Sequence, residues 1–171
     1  MNRGRIGTVE TLAAGAATRQ ALGRLIVETP GPGFTEITRE VAQWLAGTGT
    51  RDGLLTAFCR HTSASLTIQE NADPDVQTDL LTALDRLAPR DAGWVHDTGG
   101  SCLDSKPPLY RHQDEGPDDM PAHIRTMFTG VSLSVPVIGG RLSLGTWQGV
   151  YVIEHRDRPH RREIILHVVG Q

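Results

Sequence analysis

The 171-residue chain predicts a single α+β domain on an antiparallel sheet system with about three helices. Three observations carry this. Segments of period two stand at both ends of the chain, segments of period 3.6 stand between them, and no repeat, linker or low-complexity block divides it. The length suffices to bury a core but is too short for a (β/α)₈ barrel of roughly 250 residues. The net charge of −3 argues against a nucleic-acid surface. No apolar run approaches the roughly 18 residues of a membrane span. Two cysteines, Cys59 and Cys102, are too few and too far apart for a disulfide framework or a zinc module. The expected organisation is a mobile tail over residues 1–22 and a folded domain over 23–171, in the cytoplasm.

Gly23 to Glu28 has strand composition and stops at the break Pro30-Gly31-Pro32-Gly33. Phe34 to Ala46 carries Ile37, Val41, Trp44 and Leu45 at helical spacing, with Thr35 as cap and Gly47 as stop. From Leu54 the period becomes two. Leu55, Ala57, Cys59 and His61 share one face, and a short link or bulge, Thr62-Ser63-Ala64-Ser65, leads to a second strand with Leu66 and Ile68. His61 then ends a strand on its inward side, where it is either a satisfied core histidine or a ligand. Asp73 before Pro74 predicts the N-cap of a helix stopped by Pro89, which leaves Glu70 and Asn71 without a structural role. Residues 90–118 lack periodicity and suggest a lid or a subunit-contact loop. A short helix, 121–128, precedes an antiparallel end of the chain: Ser132 to Val137, a Gly139-Gly140 hairpin, Arg141 to Gly145, Val150 to His155 and Ile164 to Val169.

The densest chemistry lies in Tyr110 to His123, Y-R-H-Q-D-E-G-P-D-D-M-P-A-H. His112 and His123 flank the Gly116-Pro117 turn, so the imidazoles can converge on a metal ion, with Glu115 or Asp119 orienting one of them. The plain alternative is an acidic loop in which Asp118 or Asp119 caps the following helix.

Three stretches together resemble a known family: H-T-S-A-S-L-T-I-Q-E-N-A-D-P-D-V at 61–76, Tyr110 to Ile124, and R-L-S-L-G-T-W-Q-G-V-Y-V-I-E-H-R at 141–156. They are similar to the YjbQ-like family, commonly labelled secondary thiamine-phosphate synthase. The resemblance spans about residues 23 to 169. It implies a jelly-roll-like antiparallel sandwich, a homotrimer with polar clefts near the subunit boundaries, and an anion or metal site at His112 and His123 with His61 as third member. It also implies slow joining of a pyrimidine pyrophosphate to a thiazole phosphate.

On this basis the expected function is metal-assisted chemistry on a small phosphorylated metabolite. The alternative is a phosphometabolite- or metal-binding protein without turnover. Zinc or magnesium is the expected cofactor. Glu70 and Asp119 are the candidate catalytic carboxylates. Ser63, Ser65, Asn71, Arg141, Thr146, Trp147, Gln148 and Arg156 are the candidate substrate-binding residues.

Overall fold

The computed structural model describes residues 8–90, 109–112 and 114–171. Along the chain run β1 (Arg19–Thr29), β2 (Gly33–Glu36), α1 (Thr38–Thr48), β3 (Gly53–Cys59), β4 (Ala64–Glu70) and α2 (Pro74–Leu87). Then follow α3 (Asp119–Thr129), β5 (Ser132–Ile138), β6 (Arg141–Leu142), β7 (Gln148–Glu154) and β8 (His160–Gly170). The strands form a five-stranded sheet, β1-β8-β3-β5-β6, and a three-stranded sheet, β2-β7-β4. Every pairing is antiparallel.

The alternation read in β3 sorts its side chains as the pleat requires: Leu55, Ala57 and Cys59 are buried, while Leu54 and Phe58 face outward. Leu55 and Ile164 of the large sheet, Leu66 and Val152 of the small one, and Val41 and Leu45 of α1 belong to one core cluster. Trp44 of α1 packs beside it. A Cβ on Gly23 would lie 2.5 Å from the Trp44 indole nitrogen, so β1 has no side chain where the helix crosses it. The Gly139-Gly140 hairpin is confirmed, with φ of 57° and 77°, the positive values that a two-residue turn between β5 and β6 demands.

Six connections cross from one sheet to the other, and β1 to β2, β3 to β4 and β7 to β8 are three of them. The register places these three at one end of the domain. Thr29 pairs with His160, Cys59 pairs with Ile164, and Glu154 lies between Gly33 and Ala64. Glu154 is buried there and ties the crossings together. It accepts from Thr29 Oγ1 at 2.6 Å and from two nitrogens of Arg162. Burial alone would raise its carboxyl pKa, but the hydrogen bonds from Arg162 and Thr29 outweigh that and hold it below the ordinary value.

Several expectations are corrected. β1 begins at Arg19, inside the span assigned to the tail, because residues 19–22 pair with β8. Phe34 and Thr35 lie in β2, not in a helix, and α1 starts at Thr38 without a side-chain cap. It runs through Gly47 and ends at Gly49, whose φ is 71°. β6 stops at Leu142 rather than Gly145. α3 begins two residues before Pro121, and Asp118 stands at its N-cap position without a side-chain hydrogen bond to the helix. Asp73 does cap α2, accepting from the Asp75 N–H at 2.9 Å, but no residue of that helix is buried. The reading of residues 90–118 as a lid or contact loop, with Cys102 in it, falls mostly outside the described residues.

Candidate metal centre

His112, Asp119 and His123 come together at the crossing end of the domain, each offering one ligand atom, and these atoms all lie within 4.8 Å of one another. The first turn of α3 does this. Asp119 and His123 are four residues apart on one helix face, and His112 reaches them from the preceding arm. Asp119 Oδ2 is 2.7 Å from His112 Nε2 and 3.5 Å from His123 Nε2. His123 Nδ1 lies 3.0 Å from the Thr62 carbonyl, which can only accept, so the neutral ring carries its hydrogen on Nδ1 and presents the Nε2 lone pair. The carboxylate of Asp119 is buried, whereas the imidazoles of His112 and His123 are 41% and 34% exposed. The donors are therefore fixed from below and open to solvent above.

The donor set fits a divalent ion. Bonds of about 2.1 Å in a tetrahedron put neighbouring donors roughly 3.4 Å apart. The His123 contact already has that spacing, and the His112 contact needs to widen by less than an ångström as its Nε2 proton leaves. Two imidazoles and one carboxylate match catalytic zinc and non-haem iron(II) sites; magnesium prefers an all-oxygen shell.

Arg156 holds the other side of Asp119. Its Nη1 donates to Asp119 Oδ1 and, at 3.2 Å, to Glu115 Oε2; its Nε donates to Asp118 Oδ2 at 2.9 Å and its Nη2 to the Glu115 carbonyl at 2.8 Å. Burial works against the Asp118 carboxylate, yet the bonds from Arg156 and the Asp157 N–H hold its pKa below the ordinary value. Arg156 is thus engaged by the site's own carboxylates, where the sequence suggested a phosphate clamp. On the far side of this strut a cavity of about 530 Å³ opens between residues 114–118 and 156–160.

The remaining predicted residues separate into groups. His61 stays out of the trio. Its Nε2 accepts from the Glu163 N–H at 3.0 Å, and burial together with the Arg162 charge lowers its pKa, so it is a neutral anchor of the corner. Ser63 sits on the same corner, half-buried, one residue from Thr62. Ser65 is fully buried, its Oγ 2.8 Å from His155 Nε2 and 2.8 Å from Thr129 Oγ1. It links β4 to α3 and has no path to a substrate, which corrects its assignment to binding.

Glu70, Asn71, Thr146, Trp147 and Gln148 gather at the opposite end of β7. Glu70 pairs with Gln148, and the Asn71 N–H donates to the Trp147 carbonyl at 3.0 Å. Six residue steps of β7 separate that end from Glu154, roughly 20 Å at 3.3 Å per residue. Within one chain these residues do not join the trio, and neither does Arg141, exposed beside the β5–β6 turn. The sequence reading missed Thr62, Arg162 and Arg125. Arg125, a buried guanidinium on α3, donates to the Ala88 carbonyl at 2.7 Å and leaves its Nε unpaired. A backbone acceptor has no residue-type signal, but the four-residue spacing of Asp119 and His123 was there to be read.

A family model described as "UPF0047 protein YjbQ-like" matches residues 24–171. A UPF0047 protein of Synechocystis sp. is 44% identical over 160 residues, covering 94% of this chain and 99% of the relative. The UPF0047 protein YugU of Bacillus subtilis is 38% identical over 135 residues, covering 79% and 88%. Among solved structures, an uncharacterised conserved protein of the YjbQ/UPF0047 family from Clostridium acetobutylicum aligns with a TM-score of 0.69 at 35% identity, covering 85% of this chain and 98% of that one. A conserved hypothetical protein from Thermus thermophilus aligns with a TM-score of 0.63 at 38% identity, covering 84% and 97%.

Proposed function

The chain belongs to the YjbQ-like UPF0047 family, and from that premise we propose that His112, Asp119 and His123 bind a divalent ion for chemistry on a small phosphorylated metabolite. The observation that supports this most is the meeting of three ligand atoms from an arm and a helix start, backed by a buried arginine. Zinc or iron(II) suits the donors better than magnesium. An ion held there supplies Lewis acidity and neutralises charge on a departing oxygen. Thiamine-phosphate formation is one such reaction: the thiazole nitrogen displaces pyrophosphate from the methylene carbon of the pyrimidine partner.

Around the ion, the chain's own groups position and donate. Asp119 and the imidazoles fix the ligand geometry, and the Ser63 hydroxyl stands at the corner as a donor for phosphate oxygens. Glu70 and the Thr146–Gln148 loop act in the same cleft only where a neighbouring copy brings them. That is why the reading includes a homotrimer with clefts at subunit boundaries. It is supported by the outer face of the large sheet, where Leu22, Leu54 and Phe58 are 69%, 47% and 45% exposed. Two sheets sharing one core likewise support reading the fold as a jelly-roll-like sandwich.

The separation of the Trp147 loop from the trio within one chain favours a second reading, a metal- and phosphometabolite-binding protein without turnover. Chromatographic detection of thiamine phosphate from its two precursors, with and without added ion, separates them. The enzyme reading expects slow product that falls roughly a hundredfold in His123→Ala and in Glu70→Gln. Equal product from wild type, His123→Ala and heat-killed protein would leave the binding reading standing.

A further inference from the structure

We infer that Arg162, with its buried partner Glu154, is a positioning residue for His123 although it does not touch it. The inference rests on the metal-centre reading of His112, Asp119 and His123 and deepens it. Residues 60–63 form a corner between β3 and β4 with no ladder of their own to aim their carbonyls. The corner is held from β8. Arg162 Nη2 donates to the Ser63 carbonyl at 3.3 Å, and the next residue, Glu163, donates its N–H to His61 Nε2 at 3.0 Å. Between these anchors lies Thr62, whose carbonyl accepts from His123 Nδ1. The direction of that carbonyl decides which ring nitrogen keeps the hydrogen and which faces Asp119.

The ion pair ties the crossings together, but that role does not itself require charge. Glu154 and Arg162 are 1% and 3% exposed, and two charges taken out of water at such depth are commonly replaceable by apolar groups without loss. What apolar groups cannot supply is a donor to the Ser63 carbonyl. Among the described residues the Glu154 carboxylate engages Thr29, Arg162 and the Arg156 N–H, with His160 Nδ1 at 3.9 Å, so the pair is directed at the corner and the strut behind Asp119.

The test uses the full chain and two variants, Arg162→Lys and the apolar double variant Glu154→Met/Arg162→Met. Fold is checked by circular dichroism and thermal melting. Nitrogen-15 NMR reads the His123 tautomer without metal, and cobalt(II) titration reads affinity and ligand-field spectrum. In wild type the hydrogen sits on Nδ1. In the folded variants the ring becomes a mixture of tautomers, and cobalt(II) binds roughly 10–100-fold more weakly with an altered spectrum. If both variants keep the wild-type tautomer, affinity and spectrum, Arg162 is only structural and the inference is wrong. Wild type that binds no cobalt(II) or zinc(II) would remove the metal reading instead, and the tautomer comparison then decides the positioning role alone. If the double variant does not fold, Arg162→Lys, which keeps the charge but not the fork, carries the comparison.

Discussion

Asp119 turns one carboxylate oxygen to His112, at 2.7 Å, and the other to the guanidinium of Arg156. One buried carboxylate thus joins the candidate ligands to a strut that also binds Asp118 and Glu115. Asp119→Asn keeps the shape and removes the charge. It is expected to weaken zinc(II) binding by more than the roughly 10–100-fold typical of an outer-shell partner. The stability loss is about 1–3 kcal/mol, since Arg156 retains Asp118 and Glu115. Isothermal titration and urea denaturation check the two numbers.

Single replacement of Arg162 by Met leaves the Glu154 carboxylate buried and unpaired, which costs on the order of 3–5 kcal/mol. Adding Glu154→Met should recover most of that loss. Urea midpoints of the singles and the double show it, and a double variant no more stable than Arg162→Met alone would contradict the prediction.

Burial, reinforced by the Arg125 charge, pushes the His155 imidazole down to about 4 from its ordinary 6.5. The ring is neutral in the fold, so between about pH 6.5 and 4 the unfolded chain binds the extra proton. Its contribution is complete above pH 6.5 and is lost as pH falls towards 4, on the order of 3 kcal/mol in all. Glu154, with a lowered pKa, adds an acid loss of the same sign at lower pH as it is protonated. Denaturation curves from pH 7 to 4 should show the slope, and His155→Gln should remove its upper part.

Trp147 is 65% exposed at the far end of β7, whereas Leu45 is fully buried in α1. Leu45→Ala should cost about 2–5 kcal/mol. Trp147→Ala should stay within about 0.5 kcal/mol while weakening phosphometabolite binding. A Trp147→Ala protein with unchanged binding of inorganic pyrophosphate would take that loop out of the proposed site.

The strands were legible because period two survives wherever one face meets the core, as Leu55, Ala57 and Cys59 show. β7 was harder. Tyr151 and Ile153 are as buried as Val150 and Val152, so its two faces do not differ in burial. Helix starts were misread where no capping side chain marks them: α1 begins after Ile37, and Asp118 spends its carboxylate on Arg156 and the Asp157 N–H. The site was legible as a dense stretch of histidines and carboxylates, but its partners were not. Thr62 contributes only a backbone carbonyl, and Arg162 lies 39 positions beyond His123 in the numbering, brought near by the sheet crossings. The serines at 63 and 65 looked equivalent on the chain, yet Ser63 stands on the corner before β4 while Ser65 lies within the strand, buried beside His155.

The metal content of purified protein tests the proposal most directly. Wild type, His112→Ala, His123→Ala and the control His167→Ala are each dialysed against zinc(II) and read by plasma mass spectrometry, with folding confirmed by circular dichroism. The expected result is about one ion per chain in wild type and His167→Ala, and a loss of most of it in the other two. Equal metal in all four folded proteins, or none in wild type, would contradict a metal centre at His112, Asp119 and His123.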